Sequence, residues 1–210
     1  MLTGLLLASL AAAAAAPAAR AATQPAPARP GPAARPAAAP APAAPATRNA
    51  VVIEGDDHLF MVASPAGWVL DDTAGLGSRI RCVLYPKGQT WAGAATVMYV
   101  NPLHGFGAKS RSLSALIAEN EKAFQRRAPR GRISDGGSLK TGAGKSVNVR
   151  YFAPDGRAPV EAVAYVPEKE LVMLLVLSAR TAQGFQQALP AYRELVGTYA
   201  WVGSNREFGR

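Results

Sequence analysis

The chain has 210 residues, 49% of them hydrophobic and 18% charged, which is room for one domain of ordinary size with an appendage and excludes a multidomain enzyme. Its formal charge of +9 is unevenly placed: of the 23 Lys and Arg, Arg20, Arg29, Arg35 and Arg48 precede Ala50, whereas all 14 acids follow it, so the remainder sets 19 cations against 14 anions. Both signs are interspersed along that remainder apart from one short basic run, which argues against a nucleic-acid binder, while the overall basic excess favours adhesion to anionic surfaces such as lipid head groups or wall polymers.

From Leu5 to Ala16 the chain is largely apolar, and Pro17 and the small-residue triplet Ala19-Arg20-Ala21 follow. The pattern predicts a secretory signal peptide over residues 1–22, hence a periplasmic or secreted protein. The stretch falls short of the roughly 20 strongly apolar residues that a span requires, so no transmembrane segment is expected in the mature chain. Residues 23–49 repeat Pro among Ala and Arg with no large apolar side chain to build a core, and read as a disordered, semi-rigid linker.

The folding unit is expected over residues 50–202. His58 to Ala63 and Arg79 to Tyr85 alternate as strands around the Pro65–Trp68 turn, and Ala94 to Val100 predicts a third strand, ended at Asn101-Pro102 by the missing proline donor. Ser112 is placed to cap a helix whose Leu113, Leu116, Ile117, Asn120 and Phe124 share one face, closed near Arg127 by Pro129 and Gly131. Four more strands are predicted at Ser138–Thr141, Ser146–Phe152, Val160–Val166 and Leu171–Ala179. The last is apolar on both faces and so central.

Thr181 is placed to cap a second helix with Phe185, Leu189, Tyr192, Leu195, Val196 and Tyr199 on one face and Pro190 kinking or restarting it. Trp201 and Val202 close the core, and residues 203–210 are expected to be a tail. Hairpin-length connections between Lys140 and Leu171 leave no room for crossover helices, so the fold class is α+β: a largely antiparallel sheet of about six or seven strands with two main helices packed on it.

The run Phe60-Met61-Val62-Ala63-Ser64-Pro65-Ala66-Gly67-Trp68, the strand end Tyr99-Val100-Asn101-Pro102, the helix between the strand groups and the closing Tyr199-Ala200-Trp201 resemble the PsbP-like fold. That fold is seen in the extrinsic subunit P of photosystem II, in a nuclear-transport factor and in periplasmic proteins of the DcrB type. The resemblance spans Val51 to Val202. It implies an accessory or binding role, no shared catalytic site and no functional residue to carry over.

Cys82, the single cysteine, alternates with Ile80 and Leu84, so burial is its expected state and a disulfide within the chain is impossible. Thr141-Gly142-Ala143-Gly144-Lys145-Ser146 imitates the end of a phosphate-binding loop, but Leu139 stands where its first glycine belongs and a strand follows, so a hairpin turn is predicted. Two histidines and one cysteine do not make a closed zinc site, and Asp56-Asp57-His58 would converge only as a loop, so no metal and no cofactor are expected. Asp71-Asp72 reads as a turn rather than an acid/base pair, and His104 lacks the nucleophile elbow of a hydrolase.

The densest charge run, Arg126, Arg127, Arg130 and Arg132, is the best candidate for a partner surface, with Trp91 as a second contact if it is exposed. Together these features predict an exported, non-catalytic accessory or binding protein of the bacterial cell envelope. Its expected partner is an envelope protein or an anionic wall or lipid polymer. The alternatives are a small periplasmic hydrolase with a site assembled from distant residues, or a polyanion-adhering surface protein.

Overall fold

The computed structural model describes residues 50–104, 112–156, 159–169 and 171–204, all within the compact unit Pro45–Arg210. The expected signal peptide, the linker and residues 205–210 lie outside the described residues. In chain order the elements are β1 (Ala50–Glu54), β2 (His58–Ala63), β3 (Trp68–Asp71), a 3-10 turn (Leu76–Ser78), β4 (Cys82–Pro86), β5 (Thr96–His104), α1 (Leu113–Arg127), β6 (Arg132–Lys140), β7 (Ser146–Ala153), β8 (Val160–Pro167), β9 (Leu171–Ala179), α2 (Ala182–Thr198) and β10 (Ala200–Ser204).

Seven strands pair in the order β3-β4-β5-β9-β8-β7-β6, every neighbour antiparallel. The expected α+β sheet with two helices is therefore present. A second sheet, β1-β2-β10, was not anticipated.

The strand β9 lies at the middle of the larger sheet because both of its faces are apolar. Met173, Leu175 and Leu177 enter the core shared with α2 and β2, while Val172, Leu174 and Val176 enter the core under α1. Burying each such side chain contributes about 1.5–3 kcal/mol.

Both helices start where a hydroxyl meets the orphan amides of the first turn. The Ser112 hydroxyl accepts from the Ala115 amide at 3.2 Å, and the Thr181 hydroxyl accepts from the Gly184 amide at 3.0 Å. The helix α1 then buries Leu116, Ile117, Asn120 and Phe124 as its periodicity predicts. Pro190 neither ends nor restarts α2, which runs unbroken from Ala182 to Thr198. Pro190 and Gln186 are exposed, so water can satisfy the carbonyl that the missing proline N–H leaves free.

Several boundaries move. The strand β5 continues through Asn101-Pro102 to His104, because β4 pairs with it only as far as Val100 and β9 is its sole neighbour beyond; a proline there removes no bond on the open side. Residues 79–81 stay outside β4, since Arg79 ends the 3-10 turn in the left-handed region at φ 59°. The strand β6 starts at Arg132 instead of Ser138 and absorbs its glycines through a bulge between Asp135 and Gly137. Gly203 and Ser204, expected in the tail, pair with Leu59 and His58.

Candidate functional site

Residues 55–57 bend before β2, and the alternation His58, Phe60, Val62 then points all three side chains inward. His58 is 1% exposed and lies between aromatic rings, with Trp201 of β10 at 5.9 Å and 11° and Phe60 at 6.0 Å and 18°. The backbone is shaped around this imidazole. A Cβ on Gly55 would stand 2.2 Å from the ring, so only glycine leaves it space.

His58 Nδ1 lies 2.9 Å from Asp57 Oδ1. A carboxylate only accepts, so Nδ1 carries the proton and donates, and the donation holds the Asp57 carboxyl below its usual range. The other carboxylate oxygen faces His104 Nδ1 at 3.5 Å. His104 arrives from β5, opposite Leu171 of β9, so one carboxylate stands between histidines of the two sheets. One donor atom from each of Asp57, His58 and His104 lies within 4.8 Å of the others.

This convergence differs from the sequence reading. Asp56 turns away to Arg81 at 2.8 Å, and the third member is His104, which reaches the group only because β5 passes Pro102. One signal was present in the sequence: the alternation of His58 with Phe60 and Val62 already places the imidazole inside.

Other sequence candidates resolve into structural roles. The Asp71 carboxylate accepts from the Thr73 and Ala74 amides, the Thr73 hydroxyl and the Tyr85 hydroxyl at 2.8–2.9 Å. Led by the Ala74 amide, these donors pull its carboxyl down to about 2, as suits a turn. Thr141 to Ser146 is the hairpin between β6 and β7, with the Gly144 amide donating to the Thr141 carbonyl at 2.9 Å and Gly144 at φ 79°. Cys82 is fully buried and burial pushes its thiol up to about 12, far from the thiolate that a nucleophile requires.

The four arginines are all exposed at one end of α1 and the start of the sheet-edge strand β6. Arg126 and Arg127 occupy the last helical turn, where a cation also favours the helix dipole. Arg130 pairs with Asp155 at 3.1 Å, and Arg132 opens β6 opposite Ala153. Trp91 is half-buried and meets Tyr99 edge-on at 6.2 Å, within the core under α1, so packing claims much of its ring.

Beneath that helix end lies a group the sequence did not single out. Glu161 of β8 is half-buried, and burial pushes its carboxyl up to about 7, partly countered by a Ser178 hydrogen bond and the Arg127 charge. A cavity of about 240 Å³ is touched by Trp68, Gln89, Thr96 and Gln187, with no titratable side chain in its lining.

No family model matches the chain, and no curated protein matches it. Among solved structures, the solution structure of cyanobacterial PsbP (CyanoP) from Synechocystis sp. PCC 6803 is similar over 68% of this chain and 86% of that one, at 10% sequence identity and a TM-score of 0.43. Among the described residues, no helix is long and apolar enough to cross a membrane.

Proposed function

We propose that this chain is an exported, non-catalytic binding domain of the cell envelope that presents a guanidinium surface to an anionic partner. The observation that carries the reading is the placement of Arg126, Arg127, Arg130 and Arg132, exposed together where α1 gives way to the edge strand β6. Planar guanidinium forks suit carboxylate and phosphate groups. The pairing of Arg130 with Asp155 does not spend it, because its side chain is 89% exposed and such surface pairs contribute about 0–1 kcal/mol.

The absence of catalysis is supported by how the candidate groups are used. The Asp71 carboxylate is committed to a turn, the Cys82 thiol is sealed, and the lining of the cavity at Thr96 holds neither acid nor base. A binding surface requires only an exposed patch, whereas an enzyme requires convergent titratable groups in a concavity; the group that does converge, Asp57, His58 and His104, is not among the residues lining that cavity.

The test is crosslinking in intact cells with the full chain, wild type against a variant with all four arginines changed to Glu. The reading predicts an adduct formed by the wild type, weakened by added salt and lost in the variant. An adduct of equal yield in both would sink it.

A further inference from the structure

We propose that Asp57, His58 and His104 form a binding site for a divalent transition-metal ion of the Zn²⁺ class, held by the carboxylate and the two Nδ1 atoms with the remaining position open to water. The inference goes beyond the arginine surface and does not depend on it.

The spacing fits such an ion. Ligands 2.0–2.1 Å from a tetrahedral centre stand about 3.4 Å apart. The two imidazoles approach different oxygens of Asp57, His58 Nδ1 at 2.9 Å from Oδ1 and His104 Nδ1 at 3.5 Å from Oδ2, and one donor atom from each residue lies within 4.8 Å of the others, close enough for a small adjustment to bring them around one ion. The 3.5 Å approach of His104 is too long for a good hydrogen bond, so direct pairing does not account for that edge of the cluster. A cation between the three donors would complete it.

The site also combines one fixed ligand with two adjustable ones. His58 is held between Trp201 and Phe60 and against Gly55, whereas the side chains of Asp57 and His104 are 57% and 51% exposed and can swing inward. The half-open rim gives an ion a route from solvent. Two imidazoles and one carboxylate suit Zn²⁺, Cu²⁺, Ni²⁺ or Co²⁺; Ca²⁺ and Mg²⁺ favour shells made of oxygen.

The buried imidazole is costly where it stands. Its Nε2 is the one buried side-chain nitrogen or oxygen without a hydrogen-bond partner among the described residues. A phenyl ring would fill this space with no orphaned atom, so what the histidine adds is its Nδ1 at Asp57 and not packing. Coordination through Nδ1 requires the imidazole proton to sit on Nε2, which becomes a buried donor, and that opposes binding.

The chain makes the test clean, since it contains two histidines and one cysteine in all, and Cys82 is buried. The full 210-residue chain is titrated with ZnCl₂ by calorimetry and with CoCl₂ by visible absorption, as wild type, His104→Ala and Asp57→Asn. Thermal unfolding in a chelator checks that both variants, altered at exposed side chains, fold like the wild type. The proposal predicts one ion per wild-type chain, intense tetrahedral-type Co²⁺ bands, and affinity at least about tenfold weaker in each variant. No saturable binding by the wild type, or unchanged affinity in either variant, would overturn it.

Discussion

Asp71, half-buried at the last position of β3, and Asp57, exposed just before β2, are both carboxylates at a strand boundary, yet they are used in opposite ways. Asp71 collects donors from residues two and three positions on and from Tyr85 of the neighbouring strand. Its geometry is closed and local. Asp57 collects one imidazole from the next residue and faces a second from β5 in the other sheet, with an edge left at 3.5 Å. A carboxylate saturated by its own turn holds structure, while one left between two distant imidazoles retains room for a ligand.

The sharpest way to break this contrast is at Gly55, where a Cβ would overlap the His58 ring at 2.2 Å. Gly55→Ala is expected to cost about 1–3 kcal/mol by overpacking, read as a shift of the urea midpoint. Gly77→Ala, where nothing lies within 4 Å of the new Cβ, serves as the near-neutral control. Equal midpoints for the two variants would show that the ring is not fixed by Gly55.

Next in size is Asp71→Ala, expected to cost about 1 kcal/mol through loss of a cap-like acceptor. The pH dependence follows from the direction of its shift: a carboxyl at about 2 in the folded protein and about 3.9 in the unfolded chain stabilises above pH 4 and loses that contribution as pH falls toward 2. Asp71→Asn should flatten that part of the acid limb. Asp57→Asn should leave most of the limb in place.

How far these roles could be read from the sequence depends on how local their causes are. The helix caps Ser112 and Thr181, the apolar faces of both helices and the doubly buried β9 are set within a few residues and stand where periodicity places them, except that Tyr199, expected on the second helix, is its extended C-cap. The turn at Asp71 is local in the same sense. In contrast, β1, β3 and β10 are four or five residues long and, unlike the run Arg79-Ile80-Arg81-Cys82 that leads into the equally short β4, carry no apolar–polar alternation, and β10 becomes a strand only by pairing with β2 from the far end of the chain. His104 was hidden for a related reason: a proline ends an isolated strand, but here β9 carries β5 past it.

Glu161 offers an effect of similar size and opposite sign. Its carboxyl sits at about 7 when folded and near 4.3 when unfolded, so the stability it contributes is complete below about pH 4 and is lost as pH rises through 7. Glu161→Gln is expected to gain on the order of 1 kcal/mol over the wild type at pH 8 and nothing at pH 4, measured by urea denaturation at both. A pH-independent difference would contradict the assignment of the buried carboxyl.

The smallest expected change is at the arginine surface. Arg130→Ala should alter stability by less than about 0.5 kcal/mol, since its ion pair with Asp155 is exposed to solvent. A large loss would turn the cluster from a partner surface into part of the scaffold.

The claim on which the contrast rests is that one carboxylate, Asp57, serves both histidines. Long-range ¹H–¹⁵N spectra of the two imidazoles test it directly, because the chain has no other histidine to confuse the signals. With Asp57→Asn, the account predicts that the Nδ1 resonances of His58 and His104 both move while the rest of the spectrum stays folded. A response confined to His58 would mean that His104 stands apart from the carboxylate, and the shared site would be contradicted.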